Sequence, residues 1–313
     1  MSLLIEEPGL FSTLQDLGRN GFMRIGVPPS GALDPLALRA ANAVLGQDQA
    51  EAALEMCRLG ITAVVEAESL RFALTGAEAP ASLNGRPIAF WRSHLARRGQ
   101  RLAIGRIAGG AAYLAVQGGF AVPAVMGSLS TYARAGIGGF HGRRLAAGDR
   151  LPLRLPEALP GPDFALPHPV PAERGRPLRV ILGPQEEMFT DAAIRCFLTE
   201  PWTVTRDADR IGLRLAGPRL AHAGAAEIVS DANTTGCIQV PGDGQPIVLL
   251  PDRQSVGGYP KIATVITADL HRLGQAVPGS VLRFEAVAPE QAEAALWLLE
   301  RAAAETFAAR RPV

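Results

Sequence analysis

Apolar and polar positions along the 313-residue chain fall into short runs broken by Gly, Pro and Asn. SLRFALTG (69–76), RLAIGRI (101–107), AAYLAVQGG (111–119), LRVILG (178–183), CIQVPG (237–242), PIVLLP (246–251) and SVLRFEAV (280–287) alternate or stay apolar over strand lengths. Both halves of the chain therefore read as mainly β. Several short strands with tight turns in each half point to barrels or sandwiches rather than a doubly wound sheet. Three stretches switch to helical spacing. DPLALRAANAVLGQD (34–48) offers Asp34 as N-cap, Pro35 at the first helical position and Gly46 as a stop. PQEEMFTDAAIRCFL (184–198) and PEQAEAALWLLERAAAETFAARR (289–311) each open on proline and carry apolar residues at helical intervals. The pattern predicts a mainly β, α+β protein with few helices.

The segment 151–177 holds eight of the 25 prolines and sustains neither a helix nor a central strand. It predicts an extended connector, and the chain divides into an N-terminal domain (1–155), a Pro-rich linker (156–177) and a C-terminal domain (178–313). The length itself suits two cores of about 150 residues. Thirty-one cations stand against 30 anions, for a formal net charge of +1. No basic field exists to draw nucleic acid or an anionic membrane. The N-terminus carries Glu6 and Glu7 where a signal peptide needs basic residues, and no apolar run reaches membrane-spanning length. Cys57, Cys196 and Cys237 form no C-x-x-C pair, so they read as reduced thiols of a cytoplasmic protein.

Common catalytic signatures are missing. The sequence has no P-loop, no G-x-G-x-x-G after a strand, no G-x-S-x-G elbow and no histidine pair at metal-binding spacing. Loops dense in glycine remain, with polar residues at set places. Gln15, Asp16 and Arg19 surround Gly18, and Ser30 precedes a helix N-terminus whose amides suit an anion. Gln117 leads into Gly118-Gly119, and Ser128, Ser130 and Thr131 follow in MGSLSTYARAGIGGFHGR. Each such loop is equally well explained as a turn needing positive φ. One position stands apart: Lys261, in DRQSVGGYPKIATVITADL (252–270), is the only lysine, and every other basic residue is arginine. Arginine serves a surface ion pair as well as lysine does. An ammonium enters a narrower pocket and gives up its proton more readily when desolvated, so this position predicts special chemistry.

These segments carry a resemblance. GLFSTLQDLGRNG, GVPPSGALDPLALRAANAVLG, VQGGF, MGSLSTY, DRIGLRLAG, IQVPGDGQPIVLLPDRQSVGGYPKIATVITADL and QAVPGSVLRF, in this order over residues 4–290, resemble the biotin-dependent carboxyltransferase family. That family is also known as allophanate hydrolase subunit 2, and its stand-alone bacterial members as the C component of 5-oxoprolinase. The chain departs from the usual motif in having Ser255-Val256 before Gly257-Gly258, and Ala208 before Asp209-Arg210.

The resemblance implies two cyclophilin-like β-barrel domains with a cleft between them. It also implies two partner proteins, the B component of 5-oxoprolinase (allophanate hydrolase subunit 1 type) and the A component. Such a complex opens 5-oxoproline to glutamate with ATP and Mg2+, for which this chain shows no site of its own. Two alternatives follow from relatives: transfer of a carboxyl group from carboxybiotin to urea or a similar amide, with biotin on a separate carrier, and a non-catalytic role antagonising a kinase inhibitor. Lys261, Asp252 and Arg210 are the side-chain types suited to charge stabilisation and proton transfer. Gln254, Gly257, Gly258, Tyr259, Gln117, Gly118, Gly119, Ser128, Thr131, Ser30, Asp16 and Arg19 are the expected substrate-binding positions, and no metal site is expected.

Overall fold

The computed structural model describes residues 1–167 and 175–313. Its chain forms two compact units. One comprises Met1–Arg19, Ser30–Ala172 and Ala302–Val313, and the other Asn20–Pro29 and Glu173–Arg301. A single cut near the Pro-rich segment places 20–29 with the N-terminal half and 302–313 with the C-terminal half; in the structure each belongs to the opposite unit. The terminal residues are held in the first unit by stacking and pairing. The Arg310 guanidinium lies 4.0 Å from the Phe164 ring centroid, and Arg311–Pro312 pairs with Phe164–Ala165.

The first unit wraps two sheets around one core. The six-stranded sheet runs Arg150–Pro152, Ser2–Glu7, Thr62–Val65, Arg101–Ile104, Ala81–Leu83, Arg86–Pro87, and the other is centred on Ala53–Leu59, Arg106–Val116 and Ser69–Gly76. Leu3 and Ile5 from the first sheet meet Leu14, Leu54, Met56, Phe72 and Leu114 from the second, all fully buried. The Pro35–Leu45 helix forms as its sequence dictates. Asp34 accepts a hydrogen bond from the Ala37 N–H at 2.9 Å, and Gly46 closes the helix at φ 70° in the left-handed region. Its entry is fixed by a buried knot. Tyr113 donates to Glu55 Oε2 at 2.7 Å and accepts from the Asp34 N–H, while Glu55 also accepts from the Leu33 N–H. Burial, reinforced by the Glu55 and Asp34 carboxylates, pushes the Tyr113 phenol well above its ordinary pKa and keeps it a donor.

Residues 168–174 of the Pro-rich segment lie outside the described residues. Over its described part the segment is extended but is no free tether. The buried Arg71 guanidinium donates to the Leu159 and Gly161 carbonyls, each at 2.6 Å, and to Asp163 at 3.1 Å. Ser93 donates to the same carboxylate. Those contacts make 159–163 part of the first unit's wall.

The second unit is built on one eight-stranded sheet, in the order Val281–Leu282, Trp202–Val204, Gly212–Ala216, Ile247–Leu249, Cys237–Gln239, Lys261–Val265, Leu178–Leu182, Phe284–Ala286. Its two edge strands are separated by Arg283 alone, so the sheet curls back on itself into a nearly closed barrel. Phe197 stacks on Phe284 with centroids 4.6 Å apart beside the buried Trp202. The helix expected over 184–198 is shorter, Asp191–Thr199, after a 3-10 turn at Glu186–Met188. Thr190 takes the N-cap, its extended backbone (ψ 152°) and hydroxyl bond to the Ala193 N–H ending the helix there. No helix among the described residues is long and apolar enough to cross a membrane.

Candidate functional site

The strand Lys261–Val265 starts beside a register shift. It pairs with Cys237–Gln239, and a bulge between Ile238 and Gln239 brings Gln239 opposite Lys261. A bulge turns a side chain away from its regular direction, and here it sits where the chemistry is densest. Lys261 is 1% exposed, and its Nζ donates to Asp231 Oδ2 at 3.0 Å. No second acceptor for the ammonium is present among the described residues, so two of its three N–H donors are unused. Gln185 ties the pair to the neighbouring turn: its Oε1 accepts from the Lys261 backbone N–H and its Nε2 donates to Asp231. The Lys261 ammonium holds the Asp231 carboxyl below the usual carboxylate range, helped by the Ala232 N–H. Neither Asp252 nor Asp269 partners the lysine. Asp269 binds Arg179 and Arg272, and Asp252 binds Arg210.

Arg210 and Asp252 form a two-pronged, buried ion pair, Nε–Oδ2 2.9 Å and Nη2–Oδ1 3.1 Å. The Asp252 N–H also bonds to the Arg210 carbonyl, so the pair staples the loop ahead of Gly212–Ala216 to the loop ahead of Lys261. Asp209 turns inward on its own backbone, accepting from the Ile211 and Gly212 N–H groups. Gly257 and Gly258 have no left-handed φ. Gly257 is required for another reason: a Cβ there would lie 2.6 Å from Gln239 Nε2 and 2.8 Å from Asn233 Nδ2. The close approach is to two amide side chains, which also bond each other at 3.2 Å. Tyr259 and Gln254 are exposed on the same loop, and the Gln254 carbonyl accepts from Asn233 Nδ2.

Asp231, Asn233, Gln239, Gln185 and Arg253 are absent from the positions expected on sequence grounds. Asp231–Ala232 pairs with Val256–Gly257, bringing the polar run SDANTT against the glycine loop. Only that polarity, just ahead of the CIQV strand, signalled it. Arg253 is 3% exposed, and among the described residues it has no carboxylate partner. It donates to the Asn233 carbonyl, to Thr235 Oγ1 and to the Met23 sulfur.

The first unit gathers Asp16, Arg19, Ser128 and Thr131, and leaves Gln117–Gly119 elsewhere in the bonding pattern. Asp16 Oδ1 accepts from Ser128, Ser130 and the Gly18 N–H, and Oδ2 from the Leu129 N–H at 2.6 Å. Arg19 donates to the Ser130 carbonyl, and Thr131 to the Leu14 carbonyl. This carboxylate is fully engaged in holding two loops together. The amides beyond Ser30 are taken as well, those of Ala32, Leu33, Asp34 and Ala37 all having protein acceptors. The Ser30 hydroxyl is buried with no partner. Gln117 accepts from the Leu159 N–H, and Gly118 and Gly119 turn at φ near +80° against Leu155 and Glu51. No group of three or more His, Cys, Asp or Glu able to hold a metal occurs among the described residues.

A mainly β chain of two units, one of them built on a nearly closed eight-stranded sheet, has the architecture of a known class. The chain belongs to the family described as carboxyltransferase domain, subdomain A and B, whose model matches residues 25–286. It is 39% identical over 296 residues to the C component of 5-oxoprolinase from Escherichia coli K12, covering 93% of each chain. To the corresponding 5-oxoprolinase component of Haemophilus influenzae it is 39% identical over 90% of each. The solved K. lactis urea amidolyase superposes with a TM-score of 0.89 at 30% identity; the match covers 97% of this chain but spans 20% of that larger one.

Proposed function

We propose that this chain is one component of an ATP-dependent 5-oxoprolinase, and that its second unit activates the lactam amide of 5-oxoproline for opening to glutamate. The observation that carries this reading is the Lys261 ammonium, 1% exposed, held by one carboxylate at 3.0 Å and left with two unused donors. Opening an amide places negative charge on its oxygen. A fixed ammonium in a water-poor site stabilises that charge far better than solvent does. Asp231 orients the lysine through the 3.0 Å contact, and Arg210–Asp252 braces the loop ahead of it. ATP and Mg2+ belong to the reading as requirements of the complex, with the A and B components as partners. The likeness to two proteins named as the C component of 5-oxoprolinase supports it.

The likeness to urea amidolyase supports a second reading, carboxyl transfer to urea or a similar amide. Biotin would then have to arrive on a carrier outside these 313 residues. The only lysine is buried and ion-paired within GGYPKI, unlike an exposed carrier lysine on a Met-Lys-Met hairpin. Co-expression with the A and B components, followed by an assay of glutamate released from 5-oxoproline with and without ATP, separates the readings. ATP-dependent release by the complex and none by the chain alone is expected. A complex that leaves 5-oxoproline intact while carboxylating urea would favour the second reading, and turnover by the chain alone would remove the need for partners.

A further inference from the structure

A guanidinium with no counter-charge is rare in a protein interior, because the desolvation of the cation is not repaid. Among the described residues, Arg253 is such a group. Its side chain is 3% exposed, and its three acceptors are neutral: the Asn233 carbonyl at 3.3 Å from Nε, Thr235 Oγ1 at 2.8 Å from Nη1 and the Met23 sulfur at 3.6 Å from Nη2. A thioether is a weak acceptor, and one N–H on each terminal nitrogen remains without a partner. Two residues on, the Ser255 hydroxyl is also buried without a partner. Ser255 and Arg253 are both tied to Asn233, whose N–H donates to the Ser255 carbonyl. Burial pushes the Arg253 pKa down from its ordinary value, with the nearby Cys237 acting weakly the other way, and a guanidinium stays charged even so.

Two terminal N–H groups of one guanidinium, side by side, match the two oxygens of a carboxylate. Met23 lies in a 3-10 turn, Met23–Ile25, none of whose residues is buried, so its sulfur reaches the guanidinium from the partly exposed side. We propose that Arg253, with Ser255, is a carboxylate-binding subsite of the second unit, covered by Met23 until an anion displaces it. The inference rests on the 5-oxoprolinase reading only for the identity of the anion, the carboxylate of 5-oxoproline.

Thermal melts of the full chain test it with four additives: sodium formate, 5-oxoproline, neutral 2-pyrrolidinone, and sodium chloride as an ionic-strength control. Formate and 5-oxoproline are expected to raise the Tm saturably by several degrees, whereas 2-pyrrolidinone and chloride do not. Arg253→Met is expected to melt no lower than the native chain without ligand and to lose the carboxylate shift. Met23→Ala, on an exposed turn, is expected to respond to several-fold lower formate. Protection by formate but not by 5-oxoproline keeps the anion site and removes the lactam reading. No carboxylate protection of the native chain, or equal protection of a folded Arg253→Met, overturns the proposal.

Discussion

At the scale of single residues, ion pairs of differing burial divide the labour in the second unit. Arg210 and Asp252 are 7% and 8% exposed in their side chains, and the two-pronged contact offsets the desolvation of the Asp252 carboxylate. Asp252→Asn should therefore destabilise the fold by about 3–5 kcal/mol, read from denaturant melts, because it breaks a buried, two-pronged ion pair. Asp231 is half exposed but the Lys261 ammonium is 1% exposed, so their pairing both orients the lysine and offsets its desolvation. Its pKa is depressed in the native state. Its contribution is therefore complete above the unfolded value of 3.8 and fades as pH falls through the lower native one. Asp231→Asn should lower the melting temperature at neutral pH, because the 1%-exposed Lys261 ammonium loses its carboxylate partner, and should remove part of the acid-side loss below about pH 4. A variant whose acid limb matched the native profile would show that the pair is not formed in solution.

At the scale of elements, local sequence rules reached furthest where one residue decides an end. Asp34, Pro35 and Gly46 mark the first helix unambiguously, and the strand 69–76 is as written in SLRFALTG. They failed where two signals competed: Pro184 opens a helical pattern, yet Thr190 holds the cap and shortens the helix to nine residues. Knots made by distant partners were invisible. Tyr113, Glu55 and Asp34 lie 58 and 79 positions apart along the chain in their two bonds, and nothing local announces them. Tyr113→Phe removes a buried hydroxyl that serves as donor and acceptor at once. It should cost about 1–3 kcal/mol of stability, with the far-UV spectrum unchanged at low temperature. A loss within a few tenths of a kcal/mol would mean that the helix entry is held by Asp34 and Pro35 alone.

At the scale of the whole molecule, a barrel or a sandwich was legible in the short strands and turn residues, and the family, with its barrels, in the order of its glycine-rich motifs. The sole lysine was legible too, since an exception in composition needs no structure to notice. Its partner was not, because Asp231 comes to Lys261 through the pairing of Asp231–Ala232 with Val256–Gly257, a bridge between two-residue strands too short to leave a pattern. The exchange of 20–29 and 302–313 between the units was equally hidden, as membership there depends on tertiary contacts such as Met23 with Arg253 and Arg310 with Phe164. The proposed activity of the whole turns on one buried ammonium as the amide-activating group of a multi-component enzyme. The most direct measurement is ATP-dependent glutamate release by complexes rebuilt with native chain, Lys261→Arg or Lys261→Ala, each first shown to fold and to co-purify with its partners. Both variants should lose kcat by at least about a hundredfold, since a planar guanidinium does not reproduce the compact ammonium that is 1% exposed and bonded to Asp231 at 3.0 Å. Near-native turnover by Lys261→Arg would show that any positive charge suffices there, and would contradict the special role given to the lysine.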